Sequence, residues 1–336
     1  MKAGFIGAGK VGFSLGKYFA ANGARPSDWL AGKSAQEGAR PADWPLSRPT
    51  DRPASKPTPA DWSASAGAPE SIEVVGYYSR SAESARAAAE FTGSRAYESL
   101  AGIVRESDAL FLTVPDGEIE KVWREMRDLP IKNKDICHCS GSISSAVFFN
   151  AEERGACAYS LHPLYAFSDR ESAWQGLAKA AFTLEGSSRH LKIWEQTLTA
   201  LGNPLTVIDG RCKSLYHCAA VMVSNHIVAL VDIALAMLEK CGFARRDALQ
   251  ALAPLISGNA AGAAAKGPEA ALTGPVERND VQTVASHLAA LAEADMTDER
   301  EIYRLLTGRL TDIAAQKHPQ RDYDALRRLL AAGGRF

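Results

Sequence analysis

The strongest constraint on this chain stands at its start. An apolar run at 2–6 leads into Gly7-Ala8-Gly9-Lys10-Val11-Gly12, and residues 10–21 then carry helical apolar spacing, closed by Asn22-Gly23. A bare G-x-G-x-x-G is common, but between a strand and a helix each glycine has a task. The first makes the tight turn, the second lets backbone approach a pyrophosphate, and the third lets the helix pack on the strand. The helix start also offers unpaired N–H groups to phosphates. Gly7, Ala8, Gly9, Lys10, Val11 and Gly12 are therefore read as a dinucleotide cradle, with a ligand-free glycine turn as the competing reading.

Alternation continues downstream. Strands are expected at 72–78, 94–97, 109–114, 135–139, 158–161, 181–185 and 205–208, with helices at 82–91, 98–105, 119–127, 144–153 and 191–201. Strand–helix alternation implies right-handed crossovers and a parallel sheet covered on both faces. The expected class is α/β, a Rossmann-type doubly wound and mainly parallel sheet. From residue 213 the chain turns to Ala/Leu-rich helices at 213–241, 245–256, 281–292 and 299–316. The expected domains are thus 1–209, binding the dinucleotide, and an all-helical 210–336 for substrate and dimerisation.

One segment breaks the pattern. Eight of the sixteen prolines and three of the six tryptophans fall within 24–71, where Pro-Ser-Asp-Trp or Pro-Ala-Asp-Trp occurs three times. The unit is too short for a solenoid repeat and lacks any apolar period, so 24–71 is read as an insertion. A tryptophan-bearing lid or docking tail is the functional alternative. The insertion also carries the second strand's tip far beyond the usual spacing from the glycine loop.

Composition excludes some classes of partner. With 38 Lys+Arg against 39 Asp+Glu, the net charge is −1, which argues against nucleic acid or an anionic membrane. Six cysteines at 137, 139, 157, 212, 218 and 241 lie mostly in apolar stretches, and reduced thiols in the cytoplasm are expected. The apolar stretch at 227–238 is shorter than the roughly 20 residues of a membrane span and contains Asp232. It is read as a buried helix.

An NAD site usually has an acid at the tip of the second strand, to bind the ribose 2′-hydroxyl. Here the tip reads Tyr77-Tyr78-Ser79-Arg80-Ser81. An arginine between two hydroxyls suits a 2′-phosphate, so Ser79, Arg80 and Ser81 point to NADP(H), against a merely solvated Arg80.

Ligands in open parallel sheets lie beyond the carboxyl ends of the strands. Val114, Pro115 and Asp116 follow one strand, and Cys137-His138-Cys139-Ser140-Gly141-Ser142 ends the next. Val114, Pro115, Asp116, Ser140 and Gly141 are assigned to the cofactor and Ser142 to the substrate. Neighbouring strand residues face opposite sides, so the Cys-His-Cys run lacks a ligand set and no metal is expected. His162 ends another strand and is a second-rank proton donor, or else a structural imidazole.

The helix from 213 carries a polar stripe. Lys213, His217 and Ser224 fall within roughly 40° of one another, with Asn225 at the edge of that face. Polar groups on so apolar a helix should face a wet cleft. Lys213 is the candidate acid or base, with His217 orienting it or acting itself; the alternative leaves Lys213 in solvent. In Thr273-Gly274-Pro275-Val276-Glu277-Arg278-Asn279-Asp280, Asp280 is an expected N-cap and Arg278 a candidate carboxylate anchor.

Taken together, the glycine loop, Thr113-Val114-Pro115-Asp116, His138-Cys139-Ser140-Gly141-Ser142, the run from His162 to Phe167, the helix opening with Lys213, Tyr216, His217 and Ala219, the later Ser224-Asn225, and the 273–280 turn resemble the Rossmann-like DUF2520 group. Members of that group are held to be NADP oxidoreductases, and it is distantly similar to pyrroline-5-carboxylate reductase, 6-phosphogluconate dehydrogenase and the β-hydroxyacid dehydrogenases. The last carry a catalytic K-x-x-x-N pair; Lys213 matches the lysine, and His217 stands where the asparagine would be. The resemblance implies the fold and NADP(H) as cofactor but supplies no substrate; the leading reading of the residues is an NADP(H)-dependent oxidoreductase moving a hydride to or from a small, anionic substrate bound between the two domains. The resemblance carries catalytic work to Lys213, with His217 at the asparagine's place, and implies a homodimer built through the helical domain; His162 and Asn225 are catalytic candidates from their positions. A non-catalytic NADP(H)-binding sensor or scaffold is the rival, and an enzyme using a carrier such as a deazaflavin is a third reading.

Overall fold

The computed structural model describes residues 1–22 and 71–332. All but the last residue of the expected insertion at 24–71 lie outside the described residues. The described chain falls into two compact units that divide after Ser224. Residues 213–224 therefore belong with the sheet, although their composition is that of the helical half.

The first unit is one eight-stranded sheet. Its elements are β1 (Lys2–Ile6), α1 (Lys10–Asn22), β2 (Glu73–Tyr78), α2 (Ala82–Thr92), β3 (Arg95–Ala96), α3 (Leu100–Glu106), β4 (Ala109–Leu112), α4 (Asp116–Met126), β5 (Asp135–His138), β6 (Cys157–Leu164), β7 (Ala181–Gly186), α5 (Leu191–Ala200), β8 (Leu205–Val207) and α6 (Lys213–Met222). The strands run β3-β2-β1-β4-β5-β6-β7-β8, so the order reverses between β1 and β4. Rossmann-type sheets open their ligand crevice at that reversal.

Every residue of β4 and β5 is buried, as central strands covered on both faces require. Phe5 of β1 stacks between Tyr77 and Phe111 at centroid distances of 5.2 and 5.1 Å. Phe13, Leu15, Tyr18 and Phe19 of α1 close over this layer.

Three sequence expectations change. First, β6 runs to Leu164 and pairs antiparallel with β7, so His162 lies within a strand. The intervening 165–180 holds only a 3-10 run, Ala173–Lys179, and the chain returns along its own edge without crossing over. Second, the helix expected at 144–153 is a 3-10 turn, Ser145–Val147; Asn150 takes a positive φ of 59°, which ends helical propagation. Third, the long helix from 213 breaks after Met222. Val223 leaves helical geometry with ψ 3°, and the Ser224 hydroxyl bonds back to the Ala220 carbonyl at 2.7 Å, a local competitor of helix continuation.

The second unit is helical: α7 (Asn225–Lys240), α8 (Arg245–Lys266), α9 (Pro268–Ala271), α10 (Val281–Glu293), α11 (Thr297–Lys317) and α12 (Asp324–Ala332). Leu272, Val276, Val284, Leu288, Ala314, Tyr323, Leu326 and Leu330 form its core. Asp280 caps α10, accepting from Thr283 N at 3.0 Å. Arg278, in the turn before it, is exposed.

The stretch at 227–238, read as a buried helix, turns its apolar side chains outward: Val228 is 69% exposed. By length and composition the run from Gly210 to Lys240, interrupted at Val223-Ser224, is long and apolar enough to cross a membrane. Asp232 on this run pairs with Arg245.

Candidate functional site

The glycine loop joins β1 to α1. Gly7 adopts φ +104°, a conformation that side chains disfavour, and a Cβ on Gly12 would come 2.3 Å from Thr113 Oγ1. Thr113 holds the turn by donating to Gly7 O at 2.8 Å. A Cβ on Gly9, by contrast, would meet nothing within 4 Å, so backbone faces open space there. Gly7, Ala8 and Gly9 line a cavity of about 600 Å³, together with Val114 and Pro115. Lys10 reaches away to Ser168 O at 2.9 Å.

The cavity is also lined by two cations, Arg80 and Lys121, beside two carboxylates, Glu118 and Glu125. Arg80 Nη1 lies 3.2 Å from Glu118 Oε2, and Lys121 Nζ lies 2.7 Å from Glu118 Oε1. The paired Lys121 holds the Glu118 carboxyl below its ordinary pKa. Lys121 was not singled out from the sequence; its signal is its place one turn into α4 beside the strand-end loop. The Ser81 hydroxyl accepts from Ser84 N as the N-cap of α2. A glycine cradle, an open backbone face and two cations at the ribose end fit a dinucleotide bearing a 2′-phosphate.

A hydrogen-bonded turn follows β5. Ser140 Oγ donates to Asp116 Oδ2 at 2.8 Å, and Ser142 Oγ reaches the same oxygen at 3.3 Å. Ser142 N and Ile143 N donate to Ser140 Oγ at 3.2 and 3.1 Å. The loops after β4 and β5 are thereby tied together. Beneath them His138 accepts at Nδ1 from Ser140 N and meets Ser144 O through Nε2. Burial drives its pKa down to about 4, so this imidazole is neutral at pH 7.

Lys213 is 1% exposed, which corrects the reading that left it in solvent. Its Nζ donates to Ser140 O at 2.9 Å and Ser160 Oγ at 2.7 Å. Burial lowers its pKa to about 8, with Glu185 opposing that shift. Glu185 is itself occupied by Ser145 N and Ser145 Oγ, each at 2.7 Å.

On the face presented by Lys213, Tyr216 and His217 follow at helical spacing. His162 Nδ1 lies 2.7 Å from Tyr216 Oη, and the His162 and His217 rings are 6.2 Å apart. Burial, with Lys213 adding to it, drives the His162 pKa down to about 4. Tyr216 entered the sequence analysis only as part of the motif that opens this helix, with no role of its own. Asn225 and Arg278 belong to the second unit.

A second cluster occupies the amino ends of the same strands. Asp135 accepts from His190 Nδ1 at 2.7 Å and Trp194 Nε1 at 2.9 Å, and the Cys157 thiol bonds to the same carboxyl. Among the described residues, Asp135, Cys157 and His190 bring potential ligand atoms within 4.8 Å of one another. All three already serve one another or Trp194, and the Cys137-His138-Cys139 run contributes none of them.

Residues 180–310 match the family model DUF2520, a domain of unknown function, in agreement with the resemblance drawn from the motifs. No curated protein sequence matches the chain significantly. Among solved structures the chain is similar to protein TM1727 from Thermotoga maritima, with 24% identity, TM-score 0.64, and 94% of this chain and 99% of that chain covered. It is also similar to a Bacteroides fragilis protein, BF3122, described as an NADP oxidoreductase, at 20% identity, TM-score 0.62 and coverage of 93% and 98%. A third is a reductive aminase from Aspergillus terreus in complex with NADPH and ethyl levulinate, at 14% identity, TM-score 0.54 and coverage of 97% and 98%. These likenesses establish the fold: a Rossmann-type sheet followed by helices.

Proposed function

We propose that the chain is an NADP(H)-dependent oxidoreductase that moves a hydride to or from a small, anionic substrate. One observation carries the reading. The glycine cradle and the polar turn after β5 share the carboxyl edge of one sheet, and Asp116 beside the cradle is hydrogen-bonded to Ser140 of that turn. The names of the neighbours, an NADP oxidoreductase and an aminase holding NADPH, support the same cofactor.

In this reading Gly7 to Gly12 hold the pyrophosphate, and Ser79, Arg80 and Lys121 hold the 2′-phosphate. Val114, Pro115, Asp116, Ser140 and Gly141 bound the rest of the cofactor. When bound, the nicotinamide supplies or takes the hydride. Lys213 lies behind the Ser140–Gly141 turn, fixes it, and lends a positive potential favouring an anion. With a pKa near 8 it also exchanges a proton close to neutral pH. His162 and His217, partly exposed, are the groups that meet substrate, together with Ser142. Arg278 and Asn225 stay in the proposal as anion anchor and supporting amide, to be checked by Arg278→Ala and Asn225→Ala.

The proposal includes a homodimer. Leu230, Phe243, Leu249 and Leu255 of the second unit are between 39% and 60% exposed, more apolar surface than a lone helical unit leaves in water. A second copy suits this face better than a bilayer does, since Asp232 and Arg245 pair upon it. Sedimentation without detergent tests this: a dimer is expected, and a detergent-dependent monomer contradicts it. Residence in the reducing cytoplasm belongs to the same reading, the six cysteines being unpaired.

NADPH oxidation screened against keto acids, cyclic imines and aldehydes is the test. Turnover of at least one class, reduced in His217→Ala, is expected. Tight NADPH binding without turnover, with His217→Ala and Lys213→Met leaving cellular function intact, would instead favour a sensor or scaffold.

A further inference from the structure

Two imidazole nitrogens meet beside Gly141. A Cβ there would lie 2.5 Å from His217 Nδ1 and 3.0 Å from His162 Nε2. Only glycine lets both rings close on the turn. His217 Nδ1 is buried without a hydrogen-bond partner among the described residues. A buried polar atom left unpaired costs roughly 1–3 kcal/mol, so a ligand that engages it regains stability the fold forgoes.

His162 is fixed differently. Its other nitrogen, Nδ1, meets the Tyr216 hydroxyl at 2.7 Å, and the two rings stand nearly perpendicular, at 89°. Burial raises the Tyr216 pKa above its ordinary value, so the phenol keeps its proton and has it to give to Nδ1. A neutral imidazole that accepts at Nδ1 must carry its proton on Nε2. That N–H is the one directed at the Gly141 side.

We propose that Tyr216 is a positioning residue: by donating to Nδ1 it holds His162 in the Nε2–H tautomer, and this N–H with His217 Nδ1 forms a subsite for a carboxylate or carbonyl oxygen. The inference rests on the reading that the carboxyl-end crevice binds substrate. His217 has no bond on Nδ1, so its proton can sit there and donate as well. The surroundings favour an oxygen acceptor over a cationic amine. Lys213 Nζ is 5.6 Å from the Tyr216 ring centre, and the neighbouring carboxylates are occupied, Asp116 by the serine hydroxyls and Glu185 by Ser145.

The test is imidazole ¹⁵N NMR on the full chain, with acetate as the probe. In the wild type, His162 is expected as the Nε2–H tautomer, and acetate should shift both His162 and His217. Tyr216→Phe should mix the His162 tautomers and weaken the acetate response about 3–10-fold, the worth of one hydrogen bond, with the melting temperature nearly kept. His162→Gln restores an N–H near the Nε2 position, so acetate should still act and Tyr216→Phe should add little in that background. An Nδ1–H tautomer in the wild type, or a Tyr216→Phe spectrum and acetate response matching wild type, would overturn the proposal. A separate NADPH titration keeps failure of the cofactor reading distinguishable from failure of the subsite.

Discussion

The two ends of the central strands carry polar clusters of similar composition and opposite character. At the amino ends of β5 and β6, Asp135 is bonded to His190, Trp194 and Cys157. At the carboxyl ends, His162, Tyr216, His217 and Lys213 surround a glycine, with His217 Nδ1 left unpaired. A polar core and a site differ here in whether their groups are paired. A saturated network rigidifies the sheet, whereas an unsatisfied one holds free energy that a ligand can recover.

The largest expected effect falls on the saturated end. Asp135→Ala strands His190 and Trp194 and should lose about 1–3 kcal/mol in urea unfolding, the cost of a buried donor left unpaired, with NADPH affinity of the folded fraction unchanged. His217→Ala, by contrast, should lose less than about 1 kcal/mol, since no internal bond is broken. Equal losses would dissolve the distinction between the two ends.

Acid separates them next. His138 and His162 have folded pKa values near 4 against an ordinary 6.5. Between these values the unfolded chain binds the extra protons, so stability is present above pH 6.5 and is lost as pH falls toward 4. Each contributes up to about 3 kcal/mol. Asp135 acts in the opposite sense, because burial raises its pKa: its protonated form is favoured on folding, and its contribution grows as pH falls. Melting temperatures of wild type and His162→Gln across pH 4–7 isolate the carboxyl end, where the variant should show the shallower slope. Parallel slopes would mean that His162 titrates freely.

Smaller effects are expected at the ribose end of the cavity. Arg80→Ala should weaken NADPH binding about 10–100-fold with NADH binding nearly unchanged, one charge-assisted contact being worth about 1.5–3 kcal/mol. Lys121→Ala should act in the same direction and more weakly, as a point charge rather than a fork. Calorimetric titration with both nucleotides reads this, and equal losses for NADPH and NADH would remove the 2′-phosphate from the account.

Some of this was legible in the residues and some was not. The cradle was, because its glycines stand at fixed offsets between a strand and a helix. Arg80 was readable too, as the absence of an acid where one is usual. The antiparallel turn of β7 was hidden, since apolar runs do not encode strand direction, and it places His162 within β6. Lys213 was found by spacing, but its burial behind the Ser140–Gly141 turn depends on Ser140 O and Ser160 Oγ, more than fifty residues away in sequence. Tyr216 stood in a motif without a role for the same reason: its partner, His162, comes from another element.

The most direct test is one titration. The chain has seven histidines, and their ¹⁵N imidazole resonances can be followed as NADP⁺ is added. His162 and His217 should shift as the cofactor fills the carboxyl-end crevice while His190 at the amino end stays still. Movement of His190 with His162 and His217 unchanged would contradict that expectation.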